Sequence, residues 1–347
     1  MESKYKRSYR RGATMKFGLY LSTQWPEGAD ISFELENMIE QVRVARDNGF
    51  SSVWMGQHYM VAPMQMMQVM PLMARLAAEG KGMTFGTAVV LLSMLNPAVV
   101  AEEAATLDWI TEGNFILGVG MGYRDEEFKT LGVPKNQRVG RLEEGIEVIR
   151  RLWTEDRVDH KGKYFTVDGL GSSIKPKRSG GPPIWLGGQV PAAVARAAQL
   201  GDAWMAAPTD SVRRVAQCLE TFQQALAETG RPMPESMPIT RECCIRGTKS
   251  EALDVCRAAL LDKYNAYASW GAAGSGEKAN TFADAFDDFM ANRFIVADEA
   301  EAEDEFLRYR HDLGINTFIL RMSWIGLKQK EMLKTIEHVG RISARIS

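Results

Sequence analysis

Between Phe85 and Gly122 the chain runs apolar and β-branched (FGTAVVLLSMLNP), passes through an amphipathic stretch, and returns to an apolar run ending in glycines, FILGVGMG. This pattern predicts a strand, a helix and a second strand. The two strands must lie parallel, because only a long crossover brings the chain back to the same end. The same alternation recurs along the sequence. Strand-like runs fall at 16–21, 52–55, 83–91, 115–120, 183–188, 202–207, 239–245 and 316–322. Helical patterns fall near 33–48, 68–79, 97–112, 139–153, 190–200, 211–229, 250–268, 299–313 and 328–342. The strand runs carry few charges, as parallel strands covered on both faces do.

Eight strands alternating with helices predict an α/β chain, a (β/α)8 TIM barrel in a single domain over 15–347. A doubly wound open sheet is the rival, with a lower usual strand number. Two stretches interrupt the alternation: 155–182, after the fourth strand, and 269–281, after the seventh, with a helix expected over 282–292. On a barrel, such excursions are expected over the strands' C-terminal ends, as lids or as surface loops.

Composition narrows the class. Of 347 residues, 45% are apolar and 25% charged, enough for a sizeable core, and a net charge of −2 gives no electrostatic case for nucleic acid or an anionic membrane. No apolar run is long enough to span a bilayer. The first fourteen residues, MESKYKRSYRRGAT, are basic but precede no apolar signal core, and are read as a disordered leader. Cys218, Cys243, Cys244 and Cys256 lack metal-ligand spacing and read as reduced thiols of a cytoplasmic protein; Cys243 and Cys244, adjacent in a strand, should face opposite ways.

A barrel's site lies where its strands end. Those ends bring forward Trp25, Gln57, His58, Tyr59, Gly120, Met121, Arg124, Gly187, Gly188, Gln189, Trp204 and Trp324. The rim so drawn is rich in aromatic, Met and Gly residues and poor in carboxylates, which suits a flat apolar ligand better than a sugar or a metal. His58 is the histidine at a strand end, suited to proton transfer or to a structural bond. Gly187-Gly188 opens a helix, so its backbone N–H groups can cradle a phosphate or simply make a tight turn. Arg124 offers a cationic anchor or a surface salt bridge. No nucleophile elbow, Walker loop, zinc motif or opening GxGxxG is present.

GFSSVWMGQH (49–58), the stretch 85–132, RLEEGIEVIRRLW (141–153), PPIWLGG (182–188) and AAQLGDAWM (197–205) together resemble the bacterial luciferase family of flavin-dependent enzymes, over about 15–340. The resemblance implies a (β/α)8 barrel binding reduced FMN, or a deazaflavin in one branch, at the strands' C-terminal face. It implies that His58 assists flavin–oxygen chemistry and that Ala88-Val89 is a non-prolyl cis peptide against the flavin ring. It also makes Val119, Gly120, Gly187, Gly188, Gln189 and Val190 cofactor contacts. Gln57 and Tyr59 stand where the family motif has Glu and a second His, so aldehyde luminescence is not the expectation. Met121 stands where luciferase has a phosphate-binding Arg, and where sugar- and alcohol-oxidising deazaflavin members have a catalytic Glu. The resulting expectation is an FMN-dependent monooxygenase fed by a separate flavin reductase. Its small substrate would sit against Trp25, Gln57, Tyr59, Met121, Trp204 and Trp324, with 269–281 closing over it. The alternative is a deazaflavin-dependent hydride transfer. Family dimers pack helices beside the second and third strands, which would put Met38, Leu76 and Trp109 in a homodimer interface.

Overall fold

The computed structural model describes residues 14–269 and 286–346. Thirteen strands occur among them: Lys16–Tyr20 (β1), Gln24–Trp25 (β2), Ser52–Met55 (β3), Gln65–Met66 (β4), Thr84–Thr87 (β5), Phe115–Val119 (β6), Val158–Lys161 (β7), Thr166–Leu170 (β8), Ile184–Gly187 (β9), Ala203–Met205 (β10), Pro238–Ile245 (β11), Ile295–Ala297 (β12) and Thr317–Arg321 (β13). Nine of them form one curled parallel sheet in the order β10-β9-β6-β5-β3-β1-β13-β11-β12. Ala206, just past β10, bridges to Ile239 of β11, so the two sides of the curl meet there. All nine strands of this sheet point the same way, and their C-terminal ends therefore gather at one end of the molecule.

Side-chain alternation divides the strands between two layers. Phe17, Leu19, Val53, Phe85, Leu117, Leu186, Ile239, Phe318 and Leu320 face outward into the main core beneath the helices. The helices supply matching stripes. Ile31–Asp47 is capped by Asp30, whose carboxylate accepts from Ser32 N at 3.0 Å, and it buries Met38, Ile39, Val42 and Ala45. Burying each of the larger side chains is worth about 1.5–3 kcal/mol. Pro97–Ile110 starts with Pro at its first turn and an Asn96 cap, and buries Val100, Ala104 and Leu107. Cys243 faces the main core and Cys244 a second cluster with Tyr264, Phe286 and Trp324, the opposite directions expected of neighbours in a strand.

Four expectations change. The third strand ends at Thr87, not 91: the Ala88–Val89 peptide is cis, and Leu92–Met94 forms a short helical turn. The excursion 155–182 does not lie over the strands' C-terminal ends. It follows the helix Arg138–Thr154: its later part packs at the opposite end, where Arg178 N donates to Asp108 and the Trp109 indole donates to Lys175 O, and its hairpin runs back along the outside of that helix, with the Arg141 guanidinium 4.7 Å over the Phe165 ring. Its core is the antiparallel pair β7–β8, pinned by Glu144, which accepts from Phe165 N at 2.8 Å. β12 is a ninth strand along the last three residues of β11, too short at Ile295–Ala297 to stand out as a periodic run. Met38 and Leu76 are sealed inside this chain, so of the proposed dimer contacts only Trp109, about half exposed, is open to a partner. The stretch 269–281 lies outside the described residues except for Ser269, and of the helix expected over 282–292 the described part is Phe286–Met290.

Candidate active site

Glycines clear the inside of the sheet for two large rings. The indole of Trp54 stacks on that of Trp185, with centroids 5.0 Å apart. A Cβ at Gly86 would lie 2.2 Å from the Trp54 ring, and one at Gly18 2.7 Å from its Nε1, so glycine on each neighbouring strand makes the room. Tyr20, Met205, Ile319 and the cis pair Ala88–Val89 pack in the same cluster. Tyr20 Oη reaches Ala88 O at 3.4 Å, and the Arg321 guanidinium lies 4.0 Å over the Tyr20 ring.

Val89 is where the rim residues converge. A Cβ on Gly120 would come within 2.6 Å of one Val89 methyl, and a Cβ on Gly187 would stand 3.7 Å from the other. Val89 thus packs its two methyls against Gly120 and Gly187. Gly188 has a packing reason of its own, because a Cβ there would meet Ala193 at 2.7 Å. Val190 caps the helix Pro191–Leu200 with no side-chain bond and is exposed. Gln189 donates through Nε2 to Thr209 Oγ1 at 2.7 Å and to Asp210 Oδ1 at 3.2 Å. Burial pushes the Asp210 carboxyl up against the pull of that bond and of Arg241 and Arg214. Val119 faces the outer core, so it can offer only backbone to the rim.

The β3 end is tied to the loops after β5 and β6. Gln57 accepts from Leu91 N at 3.1 Å and donates to Tyr59 Oη at 2.8 Å. His58 Nδ1 meets Glu127 Oε1 at 3.0 Å, and Tyr59 N donates to the same oxygen at 2.8 Å. Arg124 donates to Tyr59 O at 3.0 Å and stands 3.7 Å from Glu127. Burial pushes the Tyr59 phenol up to about 12, and the carboxylates of Glu103 and Glu127 add to the shift. Met121 O accepts from Ser93 Oγ at 2.6 Å. Trp25 is buried in the small β2–β4 ribbon that joins the loops after β1 and β3.

Of the tryptophans read as pocket walls, Trp204 lies elsewhere, while Trp324 stays at this end of the sheet. Trp204 points outward: its Nε1 donates to Gly188 O at 2.8 Å and its ring packs against Phe222. Its strand neighbours Ala203 and Met205 take the inward positions. Trp324 belongs to the cluster beside β11, where it donates to Glu242 Oε2 at 2.5 Å.

Nor is this end of the sheet poor in carboxylates. Glu127 and Glu242 are both wholly withdrawn from water. Glu242 also receives Tyr264 Oη at 3.0 Å, pairs with Lys263, and lies 3.4 Å from Arg321. Burial alone would raise the Glu242 carboxyl, yet Lys263 and Arg321 hold it below the usual carboxylate range. Burial and the Arg321 charge push Lys263 down to about 7. These directions compete, since a neutral Lys263 would take away part of what holds Glu242 ionised. The carboxylate keeps Arg321, Tyr264 and Trp324 in either case. Its sequence signal was an Arg-Glu pair inside an otherwise apolar strand. Glu127, one acid of three in DEEF, carried none.

Among the described residues, no group of three or more His, Cys, Asp or Glu could hold a metal ion. None of their helices is long and apolar enough to cross a membrane. A curled parallel sheet with helices packed outside it, its strands' C-terminal ends gathered at one end, defines an α/β architecture. The family description "Luciferase-like monooxygenase" matches residues 15–317, and the chain belongs to that family of oxidoreductases. It is similar to a phthiodiolone/phenolphthiodiolone dimycocerosates ketoreductase of Mycobacterium kansasii, 31% identical over 50% of this chain and 49% of that one. It is similar also to the 4-hydroxyprotoasukamycin monooxygenase of Streptomyces nodosus subsp. asukaensis, 27% identical over 69% of this chain and 67% of that one. The chain's matches thus span from about half to two thirds of these relatives' length. In fold it follows the monooxygenase RslO1 of Streptomyces bottropensis, with a TM-score of 0.82, 23% identity, and coverage of 94% of this chain and 98% of that one. Solved neighbours of this fold include both FMN-bound and F420-dependent enzymes.

Proposed function

We propose that this chain is the oxygenase of a two-component system, taking reduced FMN from a separate flavin reductase and using dioxygen to oxidise a small apolar or aromatic substrate. The observation that carries the reading is the meeting of Val89, Gly120 and Gly187 in the cluster of the stacked indoles. We read it as the seat for a planar ring at the strand ends where barrel enzymes bind their ligands. We take the strands of the nine-stranded sheet other than β12 as the eight of a (β/α)8 barrel, closed at the Ala206–Ile239 bridge.

Ala88 and Val89 would support the ring, with Gly120 and Met121 along its border and Val119 offering backbone. The Gly187–Val190 turn, opening onto a helix N-terminus, would hold the phosphate, with Arg124 adding positive charge on the β6 side. Reduced flavin, when bound, supplies the two electrons that let one oxygen atom enter the substrate while the other leaves as water. His58 would move protons, and Trp25, Gln57 and Tyr59 would wall the substrate side and keep water out. The family membership and the monooxygenase relative support this assignment. A homodimer acting in the cytoplasm, with Trp109 in its interface, completes the reading.

The test is an anaerobic titration with reduced FMN and reduced F420, followed by turnover under labelled dioxygen over a panel of aromatic and aliphatic compounds. Tighter FMN binding and label in a product are expected. Tighter F420 binding, or no product across the panel, overturns the proposal. The second reading, a deazaflavin-dependent hydride transfer without oxygen, is favoured by the likeness to a ketoreductase. It predicts the opposite order of affinities.

A further inference from the structure

We infer that Glu127 is the positioning residue for His58. It fixes the imidazole in the form with hydrogen on Nδ1, makes Nε2 the nitrogen that exchanges protons, and offers a negative charge to the imidazolium formed in that exchange. The inference rests on the reading of His58 as the proton-handling residue above.

Geometry makes Glu127 Oε1 an acceptor. Tyr59 N, a group that can only donate, approaches it at 2.8 Å. His58 Nδ1 meets the same oxygen at 3.0 Å, so the hydrogen between them comes from Nδ1. In a neutral imidazole, Nε2 is then the acceptor. The ring is steadied on a second side, where Tyr123 stands edge-on with centroids 5.7 Å apart and planes at 81°.

The chemistry of the partner is the stronger sign. Glu127 has no solvent exposure, and its Oε2 has no hydrogen-bond partner. A buried carboxylate with an unmade bond is costly, and each such group calls for a reason. A glutamine would offer Tyr59 N the same oxygen without a buried charge. What the carboxylate adds is the charge itself, directed at His58 and at Arg124, 3.7 Å away. His58 and Glu127 are 69 positions apart, joined because the loop after β6 folds back across the end of β3. That loop also carries Gly120 and Met121, so the cofactor-facing backbone and the His58 ring are set by one segment.

The test starts with the free protein. Long-range proton–nitrogen spectra of the labelled chain report which imidazole nitrogen is protonated, and the His58 signals are those absent from His58→Ala. Wild type is expected to show hydrogen on Nδ1, and Glu127→Ala, which removes the acceptor that Nδ1 shares with Tyr59 N, a mixture of the two forms. Hydrogen on Nε2 in wild type, or spectra unchanged in Glu127→Ala, overturns the inference. In turnover, Glu127→Gln should lower kcat about tenfold or more with KM within about twofold, a modest part of what acid–base catalysis supplies. In a His58→Ala background the same substitution should change kcat by less than about twofold, because its effect runs through His58; fully additive losses overturn the inference. Should Glu127→Ala fail to fold, Glu127→Asp, which keeps the charge but shortens its reach, gives the same spectral readout. Unaltered turnover in His58→Ala would sink the proton-handling reading of this site, while the spectra decide the positioning role independently.

Discussion

Glu242 and Glu127 are both withdrawn completely from water at the same end of the sheet, the first inside β11 and the second on the short helix Asp125–Thr130. Glu242 is surrounded: Trp324 takes one oxygen, and Tyr264, Lys263 and Arg321 take the other. Glu127 has its donors crowded on Oε1 and nothing on Oε2. The contrast separates two uses of a buried charge. A carboxylate with a donor on each oxygen and two cations beside one of them is a tie, binding β11, β13 and the helix Lys249–Ser269 together. A carboxylate that leaves capacity unused and holds a histidine is where a chain carries a cost for chemistry.

The largest effect should come from breaking the tie. Glu242→Gln leaves Lys263 and Arg321 buried beside a neutral amide, and a loss of about 3–5 kcal/mol in urea unfolding is expected. Glu127→Gln should lose clearly less. A reversed order would break the comparison. Next comes Gly120→Ala, whose new methyl would lie 2.6 Å from Val89. Overpacking of this kind costs about 1–3 kcal/mol, and here it should also weaken reduced-FMN binding at least about tenfold by titration. Undiminished affinity would mean that the Val89–Gly120 surface is not the ring seat.

The smallest effect is a pH dependence in the His58 rim. The Tyr59 phenol titrates near 10 unfolded but about 12 folded. Between these values the unfolded chain has lost a proton that the native chain still holds. This contribution to stability is therefore whole below pH about 10 and is lost as pH climbs towards about 12. Denaturation of wild type and Tyr59→Phe across that window should show a flatter decline in the variant. Identical slopes would contradict the burial that raises the phenol.

The barrel-like alternation could be read from the chain because its strands are short apolar runs and its helices carry regular stripes. The rim glycines could be read because a strand ending in glycines has few other uses. The assignment of faces could not. In a parallel sheet covered on both sides, inward and outward residues are equally apolar, so Trp185 and Trp204 look alike as strings and lie on opposite sides of the wall. The excursion 155–182 was misplaced for a related reason: its length was plain, but its place on the molecule depended on which element preceded it.

The order of strands and helices and the glycine-marked strand ends were thus properties of the sequence by itself, because periodicity and backbone freedom are local. Which side chains look inward, that 155–182 packs along the outside of a helix and does not cover the strand ends, and that Glu127 meets His58 were decided by the tertiary structure. Those facts depend on register and on contacts between segments far apart in the chain, and no local pattern encodes such distances.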